Sequence, residues 1–549
     1  MLAIFTKQRL VKSLTLLCAS FFFFSSTFAQ LALSPIFGSN MVLQRGQPVP
    51  VFGTASPGAS VTVQFQSQSR SAVADASGKW RVDLVSMAAS TAPSSLIVTS
   101  GSNTVTLTGV QVGEVWLCSG QTNMGWPLVN ANNSASTISS AGNHNIRLFR
   151  MTAGNGPGTT TWQVSNSNTV GNFSAVGYWM GLELSQWFRN VPIGLIQATH
   201  DGTAIDQWQH TSGGVGTDYD AMVKSIQPFA VKGVAWYQGE SNGGDADYKN
   251  KLTNMVREWR SDWGQPTLPF GIIQLAYRSG WNVARDAQLQ VADTEPNCFL
   301  VVIRDLPGGQ LHPTEKKPVG IRTAIGARGL VYGDNIAYSG AIRDIPNSYV
   351  SGNKVILNWK HLGNGLFTDN GLAPGEFKIA NSTGRFQTAT AVIVGNTIEV
   401  SSSKVTNPTM VQYSYSTVGN LYSRVNVPTE GGSVIVDRLK VSEFQINVAP
   451  KTTAATAPGS QLEELVITAG AGVYPNPSPN GRFSVNLGSM KTSEKVWVQI
   501  TDALGRIVYE RSEGARGMIE INSQLQAGTY LLQIKDNQQV VLQKKLVVQ

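Results

Sequence analysis

At 549 residues the chain is too long for one domain and divides into three or four, each able to bury its own core. The formal charge of +8 becomes +5 without Lys7, Arg9 and Lys12, and no run of five like charges or basic stripe interleaved with aromatics follows, which excludes nucleic acid as a partner. Beyond the first 29 residues only Cys118 and Cys298 remain, too few for a zinc site, and each lies in an apolar stretch that predicts a buried thiol over a disulfide.

Residues 1–29 join the three basic residues to an apolar run, Leu14 to Phe24, and then Ser25-Ser-Thr-Phe-Ala29. This is the layout of a secretory signal peptide, cleaved near Ala29. The apolar run is shorter than the ~20 residues a bilayer span needs, so no permanent membrane span is expected. Residues 30–111 alternate apolar and polar positions, as in Ser60-Val-Thr-Val-Gln-Phe65, between Gly, Pro and Ser turns. That period of two predicts a small β-sandwich.

From 112 to 330 apolar strands at 114–118, 193–198, 232–237, 270–275 and 298–304 alternate with helical segments. In the segment from Asp247, Tyr248, Leu252, Met255, Val256 and Trp259 share one helical face. A second helix starts at Ser174 as N-cap. The alternation predicts an α/β domain, a parallel sheet covered by helices on both faces, with its ligand site beyond the carboxyl ends of the strands. Residues 331–447 return to a period of two and predict a further β domain, and 448–464, without large apolar residues at its start, reads as a linker.

Residues 465–549 are again β-rich and contain Val473-Tyr-Pro-Asn-Pro-Ser-Pro-Asn-Gly-Arg-Phe-Ser-Val485, Asp502-Ala-Leu-Gly-Arg-Ile-Val508 and Ala527-Gly-Thr-Tyr-Leu-Leu532. This tail is similar to the C-terminal sorting domain of the type IX secretion system. The similarity implies that secretion machinery as a partner, and export across an outer membrane to the medium or the cell surface.

Each strand of the α/β domain that carries a signature ends in polar residues: Ser119-Gly-Gln-Thr-Asn-Met124, His200-Asp-Gly-Thr203, Gln238-Gly-Glu-Ser-Asn242 and Asp305-Leu-Pro-Gly-Gly-Gln-Leu-His-Pro313. Acyl transfer from an ester needs a hydroxyl nucleophile, a base, a group that orients the base and N–H donors for the oxyanion, and these segments hold candidates for all four. Glu114-Val-Trp-Leu-Cys-Ser-Gly-Gln, Phe173-Ser-Ala-Val-Gly-Tyr178, Pro192-Ile-Gly-Leu-Ile196, Trp236-Tyr-Gln-Gly-Glu-Ser-Asn242, Arg285-Asp-Ala-Gln288 and Leu311-His-Pro313 occur in order. On these blocks the chain resembles the SGNH-type sialate O-acetylesterase family. The resemblance implies a flavodoxin-like SGNH-hydrolase domain flanked by β-sandwich domains, and hydrolysis of acetyl esters on a sugar or glycan with no metal or cofactor.

Carried over by position, the resemblance places the nucleophile on Thr122, the base on His312 and the orienting acid on Gln310. Two of these depart from the family's serine and acid. Threonine's extra methyl restricts χ1, and a glutamine supplies no charge to an imidazolium. In a serine protease triad an acid-to-amide change at that position costs roughly 10⁴-fold, about 5 kcal/mol. Asp305, seven residues before His312, is an alternative orienter, and His200 with Asp201 can form a relocated pair or simply narrow the pocket. The expected oxyanion donors are the N–H groups of Thr122 and Gly202 with the Gln238 amide, and Asn242 as an alternative. Gln121, Asn123, Trp126 and Glu240 are candidate substrate contacts, Glu240 also reading as a buried support. Two functions follow, an active O-acetylesterase or a catalytically impaired homologue that binds acetylated glycan.

Overall fold

The computed structural model describes residues 30–151, 161–210, 216–428 and 434–450, and strands between 472 and 548. Residues 1–29, the expected signal, and 451–464, most of the expected linker, lie outside the described residues. The chain forms two compact units, Met1–Lys451 and Thr452–Gln549.

In the first unit the apolar runs of the α/β region become strands β1 (Asn103–Gly120), β2 (Ile146–Arg150), β3 (Ile193–Thr199), β4 (Gly233–Tyr237), β5 (Phe270–Ile273) and β6 (Cys298–Val301). Their order in the sheet is β2-β3-β1-β4-β5-β6, all parallel, with the short strand Gln163–Val164 antiparallel on the β2 edge. The five strands legible as apolar runs stand in the flavodoxin-like order, and β2 is an added edge strand. The order reverses between β1 and β4, the position beyond whose strand ends open α/β sheets hold their ligands.

Apart from the short helix Ala135–Ser139, the α-helices among the described residues are α1 (Thr122–Gly125), α2 (Ala175–Phe188), α3 (Tyr248–Asp262), α4 (Asn282–Thr294) and α5 (Lys317–Gly326). Ser174 Oγ caps α2 by accepting from Gly177 N at 2.9 Å. Gly177 and Gly181 of α2 let the helix settle on the sheet, because a Cβ there would meet Cys118 Sγ at 2.8 Å and Leu195 Cδ1 at 2.7 Å. On the opposite face Trp236 of β4 meets Trp208 and Trp259 of α3 edge to face, each at 5.6 Å. The helical face read from Tyr248 to Trp259 is fully buried. Cys118 and Cys298 are free, buried thiols that burial pushes up to about 12 and about 11.

Strand β1 has 18 residues. Its first half pairs antiparallel with Ser90–Ser100 of the amino-terminal β region and its second half pairs parallel with β3 and β4. The boundary expected at 111–112 therefore falls inside one continuous strand. Residues 342–447 form three antiparallel sheets, one of which joins Gln387–Thr388, Phe377–Ala380, Met410–Tyr413 and Phe444–Asn447. The second unit contains a three-stranded and a four-stranded antiparallel sheet around Phe483, Val485, Val498, Ile500, Leu532 and Ile534. No helix among the described residues is long and apolar enough to cross a membrane.

Candidate active site

The site is built where β1 gives way to α1. Gly120 has φ +136°, and a Cβ there would lie 2.1 Å from Tyr237 O, so only glycine permits the close approach of β1 to β4. Gln121 N donates to Tyr237 O at 3.1 Å and His200 N to Gly120 O at 3.2 Å, which ties the ends of β4 and β3 to this elbow. Thr122 is the first residue of α1 and half-buried, and its N–H, like that of any first-turn residue, has no partner within its helix.

His312 follows β6 on a loop and is half-buried. Its ring packs on Trp126 at 5.6 Å with an interplanar angle of 36° and makes no hydrogen bond to any described residue. Burial, then the charge of Lys316, hold its pKa below the ordinary value; Asp201 pulls it up and Arg278 adds to the depression. Gln310 is exposed, and neither it nor Thr122 bonds to the imidazole. Both oxygens of Asp305 are held by Arg322, at 2.7 and 2.6 Å. Burial raises the Asp305 carboxyl, but the hydrogen bonds and charge of Arg322 outweigh it and the net shift is downward. Among the described residues no carboxylate thus meets the His312 ring.

A second imidazole does have one. His200 Nδ1 lies 2.7 Å from Oδ1 of Asp218, a carboxylate 5 % exposed. Burial raises the Asp218 pKa against the opposing pull of His200. Asp218, eighteen residues downstream at the start of the helical turn Tyr219–Val223, takes the role that the sequence offered to Asp201.

Beneath Thr122 lies a polar network. Asn123 Nδ2 donates to Glu240 Oε1 and, at 3.0 Å, to Leu311 O, while Lys316 Nζ donates to Asn123 Oδ1. With its nitrogen toward Glu240, the Gln121 amide donates to Glu240 Oε2 at 3.1 Å and Thr203 O at 3.2 Å. Desolvation pushes Glu240 up to about 7, against the Asn123 hydrogen bond and the charge of Lys316. Desolvation likewise pushes Lys316 down to about 7, against the charge of Glu240. The Lys316 ammonium sits between the rings of Tyr237, 5.4 Å, and Trp126, 5.7 Å.

The expected oxyanion donors divide. Gln238 Nε2 already donates to Thr203 O at 3.1 Å and Asn242 Oδ1 at 2.8 Å, and Asn242 Oδ1 also accepts from Ile205 N at 2.9 Å. Both amides therefore brace the loops after β3 and β4. Gly202, exposed with φ +72°, sits on the turn after β3. Trp208 is core and Trp281 is buried, whereas Trp126 stands against His312. Ser119 is fully buried. Sequence reasoning missed Lys316 and Asp218; both stand in polar stretches that read as solvent-facing.

Residues 112–324 match the family described as carbohydrate esterase, sialic acid-specific acetylesterase, and residues 472–549 match a secretion system C-terminal sorting domain. The latter assigns the protein to the exterior, secreted or at the cell surface. The chain is 26% identical over 381 residues to the human (Homo sapiens) sialate O-acetylesterase and 27% identical to that of Pongo abelii, in each case across 55% of this chain and 72% of the relative. Among solved structures, a carbohydrate acetylesterase from Xanthomonas citri superimposes with a TM-score of 0.67 at 32% identity, covering 76% of this chain and 99% of that one.

Proposed function

Since the chain belongs to the sialic acid-specific acetylesterase family of carbohydrate esterases, we propose that it releases acetate from O-acetylated sugars outside the cell, with Thr122 as nucleophile and His312 as base. The reading rests on one observation: the elbow at Thr122, the Gly202 turn and the His312 loop gather at the carboxyl ends of the strands where the strand order reverses. In the first step Thr122 Oγ1 attacks the acetyl carbonyl carbon and its proton passes to His312. The bond to the sugar oxygen then breaks, and that oxygen takes the proton back from His312. Water attacks the acetyl-threonine by the same route, which frees acetate and restores Thr122. The N–H groups of Thr122 and Gly202 are the oxyanion donors of this reading.

Turnover is expected to be slow. Among the described residues no carboxylate and no hydrogen bond holds the His312 tautomer, which also favours a second reading: a homologue that binds acetylated glycan at the same site and hydrolyses it weakly or not at all. Acetate release from a small-ester reporter and from O-acetylated sialic acid separates the two. Activity lost in Thr122→Ala and enhanced in Thr122→Ser with Gln310→Asp supports the esterase. A silent wild type with a double variant that turns over supports the binder.

A further inference from the structure

Lys316 is absent from every role assigned so far, yet it is among the least exposed charged residues of the first unit, at 1 %. A buried ammonium is costly unless its hydrogen bonds do something for the structure around it. Among the described residues its one hydrogen bond to a side chain is to Asn123 Oδ1, and Asn123 then spends both protons of its amide, one on Glu240 Oε1 and one on Leu311 O. Asn123 is the neighbour of Thr122 and Leu311 that of His312. The chain Lys316–Asn123–Leu311 therefore ties the nucleophile's helix to the base's loop through one amide.

We propose that Lys316 is the positioning residue of this site: by fixing the Asn123 amide it clamps the Leu311 carbonyl, and with it the His312 imidazole, against the elbow in place of the missing orienting carboxylate. The inference rests on the reading of His312 as the base. Two features of the geometry support it. The Asn123 amide is oriented unambiguously, since a cation must face its oxygen and a carboxylate or carbonyl its nitrogen. Trp126 contacts both residues, with the Lys316 ammonium 5.7 Å from its ring and the His312 ring 5.6 Å from it.

The charge of Lys316 has a second effect. The ionisable groups that face His312 are Lys316, Asp201 and Arg278, while Glu240 faces Lys316. After burial, the charge of Lys316 is the largest of the causes that hold the His312 pKa down. Removing the ammonium must raise the His312 pKa.

The test uses the full chain labelled with ¹⁵N-histidine, which carries only five histidines, and His312→Asn to assign the His312 signals. In Lys316→Met, kcat for a small acetyl ester is expected to fall on the order of 10- to 100-fold with KM little changed. The His312 amide signal moves, and its imidazole pKa rises toward the ordinary value of about 6.5. In Lys316→Gln, which keeps a donor for Asn123 but no charge, kcat and the amide signal recover while the pKa stays raised. An unmoved His312 amide and pKa in Lys316→Met overturn the proposal, as does an equal loss of kcat in both variants with a common fall in melting temperature. If the wild type releases no acetate, the esterase reading fails, and the two histidine signals still decide the role of Lys316.

Discussion

Thr122 and His312 carry the chemistry proposed for this chain, and the state of the imidazole sets its pH dependence. A base must be neutral to accept a proton, and His312 is held below its ordinary pKa by burial and by Lys316. Activity is therefore expected to rise as pH increases through a value below about 6.5 and to be level above it. A kcat/KM profile against pH checks this, and an apparent pKa above 7 contradicts it. Thr122, His312, Gln121 and Asn123 were legible because strand-end signatures put polar residues where apolar ones belong. Lys316 was not: in His312-Pro-Thr-Glu-Lys-Lys317 it looks like any solvated lysine, and tertiary packing, which brings Trp126, Tyr237 and Asn123 against it, makes it buried. The His200–Asp218 pair was hidden for a related reason, since no periodicity marks the segment that brings Asp218 back to the rim.

The elements that position these residues depend on a few contacts with little tolerance. Gly120→Ala places a methyl group 2.1 Å from Tyr237 O at a φ that disfavours any side chain. The expected loss is ~2–4 kcal/mol of stability, seen as a lower melting temperature together with loss of any acetate release. Between α4, the segment after β6 and the last strand of the first unit lies a buried cluster in which Glu443 pairs with Arg285 at 2.6 Å and with Arg304, every side chain at most 1 % exposed. Glu443→Gln leaves two guanidinium groups without their counter-charge, and a destabilisation of about 3–5 kcal/mol is expected in a denaturant titration. Five of the six parallel strands were readable from apolar runs of five to seven residues. Strand β2 was not, because Ile146-Arg-Leu-Phe-Arg150 alternates like an exposed edge and lacks the continuous apolar run of its neighbours.

At the scale of the whole molecule the two units have separate cores. The cluster around Phe483, Val498 and Leu532 contains only residues of the second unit, and the large cluster from Leu31 to Val448 only residues of the first. A chain ending after residue 450 is accordingly expected to keep its melting transition and whatever esterase or glycan-binding activity the full chain shows. A loss of helical circular dichroism in that shorter chain contradicts the separation. Inside the first unit the amino-terminal β region and the α/β region share one core. Strand β1, some 18 residues and ~60 Å from end to end, serves as the spine of two sheets at once. The amino-terminal β region and the α/β region cannot swing as hinged bodies about a strand whose hydrogen bonds both of them share. Heating is expected to melt them in one step, so the small sandwich, which touches none of the reacting groups, acts as ballast that keeps the elbow from drifting.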